Sequence, residues 1–293
     1  MERRTLFPGR VLPALLVLPQ LLLTFVFFLW PAGQAIWSSM MREDAFGTST
    51  QFVGLENFAD LFADPLYTAT IQRTLMFCVC VAVISMGLVL VLAVFADKEI
   101  RGRAFYRTML IWPYAVAPAM AAVLWALMLH PQIDLIGAWL NSHGVAWDYK
   151  LNGLQAMTMV VLASAWKQVS YNFIFFMAGL QSIPRTVVEA ARMDGSKGFY
   201  RFRTIVLPLL MPTVFFLLVV NLVYAAFDTF ATIYALTAGG PGQSTQTMVL
   251  KVYFDGVVNV NIGASAAQSV ILMAAVIVLC ALQFRFLGRK TVT

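Results

Sequence analysis

The chain has 293 residues, of which 60% are hydrophobic and only 12% are charged, and its formal net charge is +6. Soluble domains usually carry about 45–50% apolar and about 25% charged residues, so this composition excludes an ordinary soluble enzyme, a disordered protein and a soluble nucleic-acid binder. Apolar stretches recur along the whole chain, which predicts one membrane-embedded, all-α domain over residues 1–293.

Six apolar stretches predict six transmembrane helices, because a helix needs about 20 mostly apolar residues to cross a bilayer. They are 11–36, 75–96, 106–129, 155–180, 205–227 and 264–284. The first is longer than the roughly 7–15 apolar residues of a signal peptide, so we expect it to be retained. Prolines lie inside the first, third and fifth spans, where we expect ordinary helix bending. These prolines are Pro19, Pro31, Pro113, Pro118, Pro208 and Pro212.

The distribution of positive charge predicts the orientation of these spans. Of the 20 Lys and Arg residues, 15 lie in the N-terminal segment, in the loops after the second and fourth spans, and in the C-terminal tail. Cytoplasmic segments carry such an excess, so both termini are predicted to be cytoplasmic. Because the charge is spread over four separate segments, it indicates topology and gives no reason to expect nucleic acid as a partner.

The cysteines and histidines indicate neither a disulfide framework nor a metal site. Cys78, Cys80 and Cys280 all lie in apolar stretches and are interpreted as packing residues. His130 and His143 have no companion ligand at a suitable spacing, so we expect them to be residues of a surface loop.

The cytoplasmic loop 181–204, between the fourth and fifth spans, differs from the other loops. Pro184 suits the start of a short helix and Gly195 suits its end. The segment between them is amphipathic, with one face formed by Val187, Val188 and Ala191 and the other by Arg185, Glu189 and Arg192. A basic amphipathic loop could simply lie on the inner membrane surface.

The spacing in this loop resembles the EAA loop of ABC importer permeases. The matching positions are Glu189-Ala190-Ala191, Gly195, Ile205 and Leu207-Pro208. Two further stretches, Phe-Val-Gly-Leu-Glu-Asn-Phe at 52–58 and Gly-Gly-Pro at 239–241, are similar to maltose-type carbohydrate importers. Within that family, residues 113–118, 166–173 and 220–224 resemble the first permease subunit of importers of sn-glycerol 3-phosphate.

This resemblance implies a type I importer permease of the inner (cytoplasmic) membrane that forms half of a translocation pathway. The implied partners are a second homologous permease, a homodimer of an ABC ATPase, a periplasmic or extracellular solute-binding protein and the lipid bilayer. It also implies that the EAA loop forms a coupling helix on the ATPase, with Glu189, Ala190, Ala191, Asp194 and Gly195 at the contact.

The chain itself is not expected to be an enzyme. It has no Gly-x-x-x-x-Gly-Lys-Ser/Thr loop, so ATP and Mg are expected on the partner ATPase, and no cofactor is expected in this chain. A membrane-embedded enzyme would need a cluster of catalytic side chains, and none converges in the spans. A passive channel would leave the EAA loop without a purpose.

Four polar residues of the fourth and fifth spans, and Asp228 directly after the fifth, are candidates for the solute pathway. Lys167 is costly near mid-membrane, so it either faces a cavity, where it could bind a phosphate, or is structural, pairing with Asp228 or reaching the outer surface. Asn172, Asn221 and Tyr224 could contact solute or form interhelical hydrogen bonds. The expected solute is sn-glycerol 3-phosphate or a related glycerophosphodiester, and the alternative is a neutral sugar or oligosaccharide. Lys167 favours the anion.

Overall fold

A computed structural model describes residues 11–43, 49–97, 103–132 and 136–290 of the chain. Five basic residues of the predicted orientation, Arg3, Arg4, Arg10, Lys98 and Arg101, lie outside these ranges. The chain divides into two compact units, Met1–Asp64 with Val252–Ile271, and Pro65–Lys251 with Leu272–Thr293. The prediction of one domain over 1–293 stays a prediction.

The first unit combines a long N-terminal helical stretch with a small hairpin. Its elements are α1 (Val11–Thr24), a π-helical segment (Phe25–Leu29), α2 (Trp30–Ser39), β1 (Met41–Glu43), β2 (Thr50–Phe52) and α3 (Glu56–Ala63). The two strands pair antiparallel, with Arg42 opposite Gln51. No residue of α1 is buried, so in the isolated chain this helix presents an apolar surface that suits lipid or another subunit.

The second unit begins with α4 (Pro65–Ala96), α5 (Arg103–Ile111), a 3₁₀ turn (Trp112–Ala115), α6 (Pro118–Met128), α7 (Ile136–Ser142) and α8 (Gly153–Ser182). It continues with α9 (Arg185–Met193), α10 (Gly198–Arg201), a π segment (Phe202–Val206), α11 (Leu207–Val223), a π segment (Tyr224–Asp228) and α12 (Phe230–Thr237). Then follow α13 (Met248–Tyr253), a π segment (Phe254–Val258) and α14 (Ile262–Lys290). The π segment belongs to the first unit, and α13 and α14 each have residues in both units.

Each predicted span coincides with helical structure, although the helices differ in how apolar they are. Four described helices are long and apolar enough to cross a membrane, namely Val11–Ser39, Pro65–Ala96, Gly198–Asp228 and Ile262–Gln283. A bent pair, Phe105–Ala115 with Pro118–Met128, would be the fifth. The remaining span, predicted at 155–180, lies in α8, which falls outside this apolar set. Its buried polar residues Gln168, Ser170 and Asn172 face protein and not lipid, which explains its composition.

Helices α4, α8 and α11 form the core of the second unit. Their shared cluster of buried side chains is Met86, Val89, Ala93, Val169, Phe173, Phe176, Met177, Leu180, Leu210 and Leu217. Apolar side chains from three separate predicted spans therefore pack on one another, although these spans are far apart in the sequence.

The prolines have three different effects on the helices. Pro19 and Pro212 lie inside α1 and α11, which continue past them. Pro31 and Pro208 follow π segments, whose longer hydrogen-bond register accommodates residues that lack an N–H. The expectation of ordinary bending is wrong at Pro118, where the axis of the third span turns by 107° at a break.

Residues 52–58 form a tightly connected corner of the first unit. Gly54 has a φ of +60°, which glycine adopts without strain, and the chain then enters α3. The Asn57 amide donates to the carbonyls of Ser39 and Met41, both at 2.8 Å. Arg42 bonds Asp60 at 2.5 Å. The motif thus fixes α3 against the end of α2 and the first strand.

Candidate functional site

Helix α9 has one inward side and a broad exposed side. Ala191 is only 6% exposed and Val188 is half-buried, as the amphipathic pattern predicted. Val187, which the pattern places on the same face of the helix, is 40% exposed. Glu189 and Ala190 are exposed and therefore available to a partner.

The end of α9 is a Schellman motif centred on Gly195. The Ser196 N–H donates to the Ala191 carbonyl at 3.1 Å, and the Gly195 N–H donates to the Arg192 carbonyl at 3.0 Å. This pattern needs a left-handed residue after the helix. Gly195 has a φ of +77°, which explains why the sequence has glycine there. The Ser196 hydroxyl also donates to the Ala191 carbonyl, at 2.5 Å.

Apolar side chains beside α9 are unusually exposed. Met193 is 88% exposed, and Phe199 and Tyr200 of α10 are 78% and 64% exposed. With Glu189 and Ala190 they are called the coupling surface below. Asp194, at the end of α9, is exposed as well. Exposed apolar groups rimmed by charged residues are typical of protein–protein contact surfaces.

Lys167 is held by backbone carbonyls of the broken third span. Its ammonium group donates to the Pro113 carbonyl at 3.1 Å, to the Tyr114 carbonyl at 3.5 Å and to the Val116 carbonyl. A lysine ammonium has three donor hydrogens, so these acceptors use its full capacity. Of the structural alternatives for Lys167, pairing with Asp228 is not the one found, because the two residues form no ion pair in the described part of the chain. The geometry favours a structural role for Lys167 over a free phosphate-binding cation.

The break explains why the Tyr114 and Val116 carbonyls need a donor from elsewhere, whereas the Pro113 carbonyl also accepts from the Val116 N–H at 3.3 Å. Pro118 disfavours the helical conformation at Ala117, which is extended with φ −60° and ψ 142°. Val116 is extended too, and Pro118 has no N–H to offer the Tyr114 carbonyl. In a membrane such groups must be satisfied by protein. Lys167 supplies the donors.

Asn172 and Asn221 form a buried network between α8 and α11. Each amide donates to the other's side-chain oxygen, at 3.1 and 2.7 Å. Asn221 also donates to the Leu217 carbonyl at 2.7 Å, and Ser85 of α4 donates to Asn221 at 2.8 Å. Asn172 and Asn221 are fully buried, so this arrangement corresponds to the interhelical alternative.

Tyr224 and Asp228 bound the π segment that follows α11. The Tyr224 hydroxyl donates to the Ser164 carbonyl of α8 at 3.4 Å, while Asp228 is exposed. Sequence reasoning missed Ser85 and Ser170, which bond Asn221 and the Tyr114 N–H respectively. The only signal for Ser170 was its position one helical turn after Lys167.

The fold and the family match define a class of membrane permease. Residues 4–292 match the family model described as "Binding-protein-dependent transport system inner membrane component". The chain therefore belongs to this family of importer subunits. It is a permease with the type I importer fold, and it lies in the inner membrane.

Individual relatives match over nearly their whole length. The chain is 56% identical over 288 residues to the "sn-glycerol-3-phosphate transport system permease protein UgpA" of Brucella suis, covering 98% of each chain. It is 57% identical over 284 residues to the protein of the same description from Agrobacterium fabrum, covering 97% of each.

A solved structure supports the fold alone. A chain of a bacterial alginate ABC transporter, in complex with a periplasmic protein bound to alginate pentasaccharide, superposes with a TM-score of 0.83. It is 19% identical, and the match covers 96% of this chain and 95% of that one.

Proposed function

We propose that this chain is one of two permease subunits of an ATP-driven importer for sn-glycerol 3-phosphate or related glycerophosphodiesters. The observation that carries the proposal is the sequence identity, above one half over nearly the whole chain, to permeases described as belonging to sn-glycerol-3-phosphate transport systems. The other subunits are a second homologous permease, two copies of an ATPase that binds ATP and Mg, and a solute-binding protein.

The coupling surface is the proposed contact with the ATPase. Helix α9 is short, capped at Gly195 and followed by exposed apolar side chains, so it offers a rigid element with an unsatisfied apolar surface. Small Ala190 permits close approach of the partner, and exposed Glu189 offers a charge partner at its rim. The proposed orientation has this surface and both termini in the cytoplasm.

The anionic substrate is proposed on different grounds from those that the sequence suggested. Lys167 bonds three carbonyls, so its charge no longer argues for a phosphate in the pathway. Asn172 and Asn221 are fully buried and bond each other, which leaves half-buried Tyr224 and exposed Asp228 as the candidate pathway residues that a solute could reach. The preference for a phosphorylated solute rests on the relatives.

Uptake by the reconstituted complex tests this function. The purified complex and its solute-binding protein are placed in proteoliposomes, with ATP on the side of the ATPase, and entry of labelled sn-glycerol 3-phosphate and maltose is compared. We expect ATP-dependent accumulation of sn-glycerol 3-phosphate only. Accumulation of maltose alone would establish the neutral-sugar alternative.

A further inference from the structure

Helix α8 contacts the third span on both sides of its break. Lys167 and Ser170 lie three residues apart and so on one face of α8. Lys167 binds three carbonyls of residues 113–116, and the Ser170 hydroxyl accepts from the Tyr114 N–H at 3.1 Å. Beyond the break, Trp125 of α6 meets Trp166 of α8 edge-on, with ring centroids 6.3 Å apart.

The same helix leads directly to the coupling surface. Helix α8 ends at Ser182 and α9 begins at Arg185, so only Ile183 and Pro184 separate them. Pro184 has a fixed φ, here −58°, which limits the freedom of this link. A displacement of α9 should therefore move α8 as well, because a link of two residues can absorb little of it.

We infer that Lys167 and Ser170 are positioning residues that join the break of the third span to α8, so that a movement of α9 reaches the break. The inference rests on the proposed function, because it requires an ATPase that moves α9. It assigns Lys167 a mechanical role in coupling in place of a contact with solute.

The chemistry of the break suits a connection of this kind to α8. The Tyr114 and Val116 carbonyls have lost their helical donors, the Pro113 carbonyl keeps only the Val116 N–H, and leaving such groups without a partner in a membrane is unfavourable. The lysine ammonium reaches several of them at once on a long side chain. Methionine has a similar length but offers no donor, whereas arginine keeps both charge and donors with a different geometry.

The test measures solute uptake per ATP hydrolysed by the complete complex in proteoliposomes. We expect Lys167→Met to assemble and to hydrolyse ATP, with uptake per ATP lowered about tenfold or more, because several charge-assisted hydrogen bonds are lost. Lys167→Arg should recover part of the ratio. The matched control is Lys150→Met, since the exposed Lys150 ammonium lies 3.0 Å from His130 Nε2 outside the spans. It should leave the ratio unchanged.

A second variant, Ser170→Ala, tests the inference if Lys167→Met fails to assemble. Ser170→Ala removes only the acceptor for the Tyr114 N–H, so it should assemble and lower uptake per ATP about threefold. A solute-binding role for Lys167 would not explain that loss, because Ser170→Ala leaves Lys167 in place. A normal ratio in assembled Lys167→Met, or in Ser170→Ala when Lys167→Met does not assemble, would overturn the inference.

The wild-type complex in the same vesicles separates this inference from the proposed function. If it imports maltose instead of sn-glycerol 3-phosphate, the proposed substrate is wrong, and the variants are compared with maltose. If it imports its solute and the variants couple normally, only the inferred role of Lys167 and Ser170 in coupling is wrong. A wild-type complex without ATP-dependent uptake of either solute would contradict both.

Discussion

Asn172 and Asn221 donate to each other's side-chain oxygens across α8 and α11, at 3.1 and 2.7 Å. The two residues are 49 positions apart in sequence. Both are fully buried, and Ser85 of α4 joins the same Asn221 oxygen. The three core helices of the second unit are therefore connected by one polar network as well as by apolar packing.

Breaking this pair on one side should destabilise the subunit more than removing it on both. Asn172→Leu leaves the Asn221 amide buried with fewer partners, and an unsatisfied buried polar group costs about 1–3 kcal/mol. The double variant Asn172→Leu with Asn221→Leu removes both members and should recover part of the loss. Thermal unfolding of the purified complex measures the difference. Equal and additive losses would argue against the network.

The left-handed residue at the end of α9 should be essential for coupling. Gly195→Val forces a β-branched residue to a φ near +77°, at a cost of roughly 1–2 kcal/mol, and should distort the Schellman motif. ATP hydrolysis should then no longer be stimulated by solute. Gly195→Asn should be tolerated better, because asparagine enters this region more readily.

Gly198 provides the matched control for that experiment. It lies three residues further on, its φ is not in the left-handed region, and no atom lies within 4 Å of an added Cβ. Gly198→Ala should therefore keep normal uptake. Normal uptake in well-expressed Gly195→Val would remove the structural reason for assigning coupling to this loop.

A close backbone contact in the first unit predicts a second sensitive glycine. A Cβ added at Gly263 would lie 2.3 Å from the Met41 carbonyl oxygen, so the start of α14 would have to move away from β1. Such overpacking costs about 1–3 kcal/mol. Gly263→Ala should lower the thermal stability of the complex, whereas Gly33→Ala, with no atom within 4 Å of its Cβ, should not. The reverse order of stabilities would contradict this packing.

The sequence predicted the helical spans because the bilayer imposes length and apolarity on each one. It predicted Gly195 because helix ends require a special backbone conformation. It placed the start of the second span at residue 75, ten positions after α4 begins at Pro65. The helix continues through a polar stretch in which Arg73 Nε donates to the Ala69 carbonyl at 3.1 Å. Hydropathy alone does not predict a helical extension of this polarity.

The partners of Lys167 could not be read from the sequence. Backbone carbonyls occur at every position, so nothing in the residue pattern marks residues 113–116 as acceptors. The prolines indicated a disturbance in the third span, but its 107° turn depends on where the extended residues Val116 and Ala117 direct the chain. The pairing of Asn172 with Asn221 likewise depends on the packing of distant helices.

The proposed topology predicts which positions react with a membrane-impermeant thiol reagent. In a variant without Cys78, Cys80 and Cys280, single cysteines at Asp148 and Gly242 should be labelled from outside. Cysteines at Lys197 and Lys290 should be labelled only after the membrane is opened. Labelling of position 197 from outside would contradict the cytoplasmic position of the coupling surface.

Solute-stimulated ATP hydrolysis by the purified complex tests the central claim most directly. The permease is purified from its native membrane under mild conditions, its companion subunits are identified, and hydrolysis is measured with the solute-binding protein and either sn-glycerol 3-phosphate or maltose. The account predicts a second permease, an ATPase and stimulation by sn-glycerol 3-phosphate but not by maltose. An assembled complex without an ATPase, or with hydrolysis indifferent to sn-glycerol 3-phosphate, would contradict it.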